Sequence, residues 1–221
     1  MTPRLVVLSA PSGGGKTTIA KAVRDRFSDE FGFSVSATTR KPRAGEREGI
    51  DYYFWSPDQF LKGVAEGRFL EHAEYAGELY GTLRADVERI LKSGRHVLLD
   101  IEVDGAAQVR LLEPGAVTIF ILPSDPRVLI QRLVQRGSET LQEIRRRLDR
   151  AIYELGHATS FNRWIRNDDL EEAIRAVVKA VEESPDKLVR DRHDFAWLKG
   201  YLNSLETEKQ RLYDELHQQK G

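Results

Sequence analysis

The residues best suited to chemistry come early, where the apolar run Leu5-Val6-Val7-Leu8-Ser9 breaks into Ala10-Pro11-Ser12-Gly13-Gly14-Gly15-Lys16-Thr17. Backbone N–H groups of a glycine-rich turn can close around a phosphate, and a helix beginning there adds the positive end of its dipole. Lys16 would reach the outer phosphates of a nucleoside triphosphate, and the Thr17 hydroxyl could ligate Mg²⁺. The spacing is that of a phosphate-binding loop with one departure: Ala10 stands where G-x-x-x-x-G-K-[ST] begins with glycine. A methyl group is a small steric change. An ordinary glycine-rich connection would leave the Lys-Thr pair directly after the glycines unexplained.

The surrounding elements must hold that loop. Val6–Ser9 has the length and β-branched content of a buried strand, and Thr18–Phe27 has helical periodicity. Phe33–Thr39 reads as a strand that enters a loop, Arg40–Gly49, carrying four basic side chains. Asp51–Trp55 predicts a short aromatic strand, Pro57 to about Glu66 a helix, and Arg68–Thr82 small antiparallel strands around Gly77 and Gly81. Helices are expected from Arg84 to Lys92, Val103 to Leu112 and Pro126 to Gln135. A further, arginine-rich helix is opened by Ser138-Glu139-Thr140 and runs to about Leu155. Between them lie the buried strands His96–Ile101 and Val117–Leu122, followed by a shorter strand Arg163–Arg166 and a helix Leu170–Val181.

Strand, loop and helix in repetition imply an α/β fold with a parallel sheet flanked by helices on both faces. Ligands of such sheets sit at the carboxyl ends of the strands, where Gly13 to Lys16 and Asp100 both fall. After Pro185 the pattern changes. Leu198, Tyr201, Leu202, Leu205, Leu212 and Leu216 follow helical spacing, so Asp191 to about Gln218 reads as one long amphipathic helix, packed on its own domain or forming a seam between two subunits.

The 221 residues carry a net charge of −1 with 31% charged residues, so no global field favours nucleic acid or an anionic membrane surface. Anion binding must come from local clusters. The chain has no cysteine, which excludes thiol chemistry, and no apolar run approaching the roughly 20 residues that span a bilayer. The expectation is a cytoplasmic protein with no nucleic-acid and no membrane partner.

The phosphate loop alone specifies only a nucleoside triphosphate. Ser36-Ala37-Thr38-Thr39-Arg40-Lys41-Pro42-Arg43-Ala44-Gly45-Glu46, then Tyr52, Phe69-Leu70-Glu71 and Tyr80-Gly81-Thr82, closely resembles the nucleotide-acceptor region of the guanylate kinases. The resemblance extends through Asp100-Ile101-Glu102-Val103-Asp104-Gly105-Ala106, the arginines between 132 and 147, and Asn167-Asp168-Asp169. It implies a P-loop kinase using ATP as co-substrate and Mg²⁺ as cofactor, with GMP or dGMP as acceptor. Ala10 to Thr17 and Asn167 would hold ATP. Ser36, Arg40, Arg43, Tyr52, Glu71, Tyr80, Thr82, Asp100 and Glu102 would hold the acceptor, with Glu71 reading the guanine and Arg40, Arg43, Tyr52 and Tyr80 its phosphate.

Lys16, Arg40, Arg132, Arg136 and Arg147 would neutralise charge during transfer, Arg132, Arg136 and Arg147 from a lid that pivots near Gly137. Thr17 would bind Mg²⁺ directly and Asp100 through a water. The family pattern places Asp or Glu two residues after Asp100; here it is Glu102. By the same resemblance residues 1–184 form a guanylate kinase-like domain: a core of 1–33 and 84–184, an acceptor-binding insertion of mixed α/β character at 34–83, and a lid at about 132–150. Residues 185–221 form a C-terminal helical extension, a candidate homodimer contact. Two other readings are a non-catalytic relative that binds protein partners and a P-loop kinase for another small phosphate.

Overall fold

The computed structural model describes residues 2–75, 77–134, 141–183 and 192–218. The chain divides into two compact units, one of Met1–Leu8 with Ala20–Thr118 and one of Ser9–Ile19 with Ile119–Gly221.

In the first unit, strands β1 (Leu5–Ser9), β2 (Phe31–Phe33) and β7 (His96–Asp100) are parallel, with β7 between the other two. The register sets Val6 opposite Leu98 and Leu8 opposite Asp100. Both flanking faces are covered, so β1 is apolar and buried along nearly its whole length rather than alternating. Gly32 in β2 has a packing reason: a Cβ there would overlap Ile90 of helix α3 (Arg84–Lys92).

A second sheet of this unit comprises β3 (Ser36–Thr38), β4 (Tyr53–Phe54), β5 (Phe69–Tyr75) and β6 (Glu78–Leu83) in the order β4-β3-β6-β5. Its core is Ala37, Phe60 and Phe69, with the two phenylalanine rings stacked at 4.4 Å. Phe60 comes from α2 (Pro57–Ala65), whose start is fixed by the Ser56 hydroxyl accepting from the Gln59 N–H at 3.2 Å and by Pro57 in the first turn. Each large side chain buried here is worth about 1.5–3 kcal/mol, enough to order a small sheet.

The strand expected over Phe33–Thr39 is two strands in two sheets. β2 ends at Phe33 and β3 begins at Ser36; between them the Val35 N–H leaves any ladder and donates to the Asp86 carboxylate at 3.0 Å. Asp86 is itself buried and bonded to Arg89. Hydropathy alone could not show this break, because Phe33 to Thr39 keeps one alternation of apolar and hydroxyl side chains across it.

In the second unit, the Ile119–Leu122 part of β8 (Val117–Leu122) pairs in parallel with β9 (Arg163–Arg166), Ile121 opposite Ile165. Helices α5 (Pro126–Val134), α6 (Leu141–Gly156) and α7 (Leu170–Glu182) follow the expected pattern, and α8 (Arg192–Gln218) matches the expected C-terminal helix. Its Leu198, Tyr201 and Leu205 are buried within the chain. The Trp197 ring lies tilted against Trp164 of β9 at 6.3 Å and Tyr201 at 5.2 Å, and Lys209 pairs with Asp149 of α6 at 3.0 Å. Among the described residues no helix is long and apolar enough to cross a membrane.

Candidate active site

The glycine-rich loop closes as a turn in which the Gly14 N–H donates to the Pro11 carbonyl at 2.7 Å. Gly13 (φ +79°) and Gly15 (φ +89°) adopt the left-handed backbone that side chains resist, so these two positions require glycine. Gly14 explains the tolerated departure at Ala10: a Cβ on Gly14 would stand 2.9 Å from the Ala10 methyl, which therefore fills space that Gly14 leaves. The Ile19 N–H reaches the Gly15 carbonyl at 3.2 Å, and helix α1 (Lys16–Arg26) begins at Lys16, two residues before the periodicity predicts. That puts Lys16 and Thr17 in the first turn, where backbone N–H groups have no acceptor within the helix.

Asn167 is brought to this loop. It follows β9, is 8% exposed, donates its amide to the Gly14 carbonyl and accepts from Arg132 Nη1 at 3.4 Å. It does not cap the next helix, since Asp169 does that by accepting from the Glu172 N–H at 2.8 Å. Arg147 of α6 donates to the Leu133 carbonyl in the last turn of α5 at 2.7 Å. Arg136 and the Gly137 pivot lie outside the described residues.

Glu154 is a residue that sequence reasoning missed. It is 1% exposed on α6, accepts from the Ser12 N–H of the loop at 2.7 Å and from Arg150 Nε at 2.8 Å. Arg150 is thus bonded to the carboxylate that holds the loop. The only hint in the sequence was the i, i+4 spacing of Arg150 and Glu154, which an exposed pair would share.

The residues expected to hold the acceptor lie in the first unit. Register places Ser36, Thr82 and Glu71 side by side on three adjacent strands, and the Thr82 hydroxyl donates to Glu71 Oε1 at 2.6 Å. Glu71 is 5% exposed, a buried carboxylate. A register shift between Phe69 and Glu71 marks a bulge, a device that re-aims a side chain. Gly105 of α4 (Val103–Leu112) lies flush against the same carboxylate.

Arg40 donates from Nη2 to Glu46 at 2.8 Å and from Nη1 to the Lys41 carbonyl at 2.8 Å, with its guanidinium 5.3 Å from the Tyr52 ring centre. The Glu46 bond, reinforced by Tyr80, holds the guanidinium even more firmly protonated than usual. Arg40 in turn pulls Glu46 below the ordinary carboxylate range. Glu46 also accepts from the Arg43 N–H at 2.7 Å, so one carboxylate folds the loop around both arginines. Glu46 stood in the motif but not among the expected site residues.

Tyr52 and Tyr80 meet edge to face at 6.1 Å. Burial raises the Tyr52 phenol, and the charge of Asp100 adds to the shift. Asp100 ends β7 half-buried, and Glu102 occupies the position just before α4, where a negative charge suits the helix dipole. Among the described residues no group of three or more His, Cys, Asp or Glu is arranged to hold a metal ion.

A glycine-rich loop opening a helix behind a buried parallel strand defines a P-loop protein of the α/β class. The family model described as Guanylate kinase matches residues 2–184, and the chain belongs to that family. The guanylate kinase of Clostridium perfringens is 42% identical over 173 residues, covering 78% of this chain and 80% of the relative. That of Thermus thermophilus is 47% identical over 174 residues, covering 79% and 78%. The crystal structure of guanylate kinase from Anaplasma phagocytophilum superposes with a TM-score of 0.66 at 31% identity, covering 82% of this chain and 85% of that one.

Proposed function

We propose that this chain transfers the γ-phosphoryl group of MgATP to GMP or dGMP, giving ADP and the guanosine diphosphate. The observation that carries the acceptor is the buried Glu71 bonded to Thr82, with Ser36 in register beside them. Guanine presents N1–H and N2–H₂ donors side by side, which a carboxylate accepts, and an acceptor edge that hydroxyls can serve. Adenine lacks that donor pair and would leave a buried charge unmet, a penalty that can yield several orders of magnitude in selectivity.

Phosphoryl transfer brings negative charges together, so alignment and neutralisation are the protein's main work. Arg40 and Arg43, with Tyr52 and Tyr80, would hold the acceptor phosphate, since guanidinium grips phosphate oxygens in two-pronged fashion. Ala10 to Thr17 would cradle the ATP phosphates, with Lys16 on the group in transit and Asn167 beside the adenine. Arg132, Arg136 and Arg147 would bring positive charge from the lid and exclude water.

The donor set suits Mg²⁺, which keeps several waters and binds through phosphates and one or two protein oxygens rather than an all-protein cage. The Thr17 hydroxyl would take the ion directly, Asp100 would hold one of its waters, and the ion would neutralise the β- and γ-phosphate oxygens. Glu102 would lie along the ribose and base edge. A cytoplasmic setting belongs to the same reading, since both substrates are intracellular nucleotides.

A protein-binding relative without catalysis is disfavoured by the retained Lys16, Arg40 and Arg43. The test is a coupled ADP-release assay against GMP, AMP, CMP and UMP. Turnover with GMP far above the rest is expected; silence with all four, or preference for another base, overturns the reading. For assembly, burial of Leu198, Tyr201 and Leu205 in cis supports packing of α8 on its own chain over a homodimer seam. Light scattering of the full chain and of a form ending at Ser184 checks this, with monomer masses expected for both.

A further inference from the structure

Glu71 lies on β5, the edge strand of its sheet, and an edge strand is the least constrained place to mount a side chain that must discriminate by hydrogen bonds. What fixes it is helix α4. The Gln108 side chain pairs with the backbone of His72, the residue next to Glu71. Its Nε2 donates to the His72 carbonyl at 2.7 Å and its Oε1 accepts from the His72 N–H at 3.2 Å. The amide therefore takes the place of a further strand along that edge.

One helical turn earlier, on the same face of α4, Gly105 meets the carboxylate itself. A Cβ there would overlap Glu71 Oε2 and stand 3.0 Å from its Cδ. The φ of Gly105 is not in the left-handed region, so backbone conformation does not demand glycine at this position. The close approach of Glu71 does.

We infer that the Gly105–Gln108 face of α4 is a specificity-determining positioning surface: Gln108 fixes the backbone of β5, and the missing side chain of Gly105 sets the depth at which Glu71 rests. This rests on the reading of Glu71 as the guanine-binding carboxylate. Neither residue need touch the nucleotide. They act through Glu71, much as an outer group orients a ligating side chain, and misplacement by a fraction of an ångström to one ångström is enough to matter.

The test uses the full-length chain with GMP and AMP as acceptors. Gly105→Ala should raise the GMP KM by about 10–100-fold while leaving the ATP KM within about twofold, and should narrow the preference for GMP over AMP. Calorimetric titration with GMP alone should show the same weakening without ATP present. Glu71→Asp withdraws the carboxylate by one methylene, so the Gly105→Ala, Glu71→Asp double variant should bind GMP no worse than Glu71→Asp alone. Gln108→Ala should move the GMP KM in the same direction by a smaller factor.

A wild-type protein that does not phosphorylate GMP would remove the functional reading and with it the premise. The inference itself is overturned, with the activity intact, by an unchanged GMP KM in Gly105→Ala. Equal rises in the GMP and ATP KM values, or losses that multiply in the double variant, would overturn it as well. Melting curves on each variant identify a general fold defect, which would move both KM values and so also count against it.

Discussion

The backbone N–H of Ser12 and the carboxylate of Glu154 lie 142 positions apart and meet at 2.7 Å. Glu154 is almost wholly buried while its other partner, Arg150, keeps 29% of its side chain exposed. Arg150 can therefore turn to water if the pair is broken, whereas the loop N–H loses an acceptor. Glu154→Ala is expected to destabilise by about 1–3 kcal/mol, nearer the cost of an orphaned hydrogen-bond partner than of a stranded buried charge. It should also raise the ATP KM, and Glu154→Gln, which keeps an oxygen for Ser12, should do less of both. Thermal unfolding and ATP titration of the two variants check the ranking.

Lys16 begins α1 directly after the glycines, and its ammonium is the charge the loop's backbone amides cannot supply. Lys16→Ala should lower turnover by at least about 10²–10³-fold, the scale set by removing one preorganised group that stabilises transition-state charge. GMP binding should be nearly unaffected, because the proposed role of Lys16 is on the ATP phosphates. Turnover near that of the wild type would mean that the loop does not serve the γ-phosphate.

Much of this was legible beforehand because its causes are local. Glycines at positive φ, a lysine at a helix start and apolar runs of strand length all act within a few residues. What stayed hidden acts at long range through otherwise ordinary residues. Asp86 looks like a first-turn helix acid, yet its carboxylate takes the Val35 N–H and ends a strand that hydropathy extends to Thr39. Gly105 looks like a helix weakness until Glu71 is found against it. Glu46 was visible in the arginine motif, but that one carboxylate serves both Arg40 and the Arg43 backbone depends on how the loop folds.

Glu71 offers a sharper test of base selectivity than any arginine. Glu71→Gln keeps the shape and the bond from the Thr82 hydroxyl, but replaces one accepting oxygen with an NH₂ group that opposes guanine's donors. The GMP KM should rise by about 10²-fold or more and selectivity against AMP should fall, while the melting temperature stays close to that of the wild type. Acceptor profiles of the two proteins at matched ATP decide it, and an unchanged profile would take Glu71 out of the base site.

His96 gives the fold a pH dependence of its own. At the start of β7 its Nδ1 accepts the Arg4 N–H at 3.0 Å, which requires the neutral ring, and the ring packs 5.3 Å from Phe31. Burial lowers its pKa from the ordinary 6.5 and the charge of Arg4 lowers it further, with Glu30 opposing. A folded-state value below the unfolded one means that, as pH falls through about 6.5, the unfolded chain takes up a proton that the folded chain refuses. This contribution to stability is therefore complete above that pH and is lost on acidification down to the depressed folded value. His96→Gln keeps an acceptor for Arg4 but does not titrate, so its loss of melting temperature between pH 7.5 and 5.5 should be smaller than that of the wild type. Equal losses in the two proteins would assign the acid sensitivity to other groups.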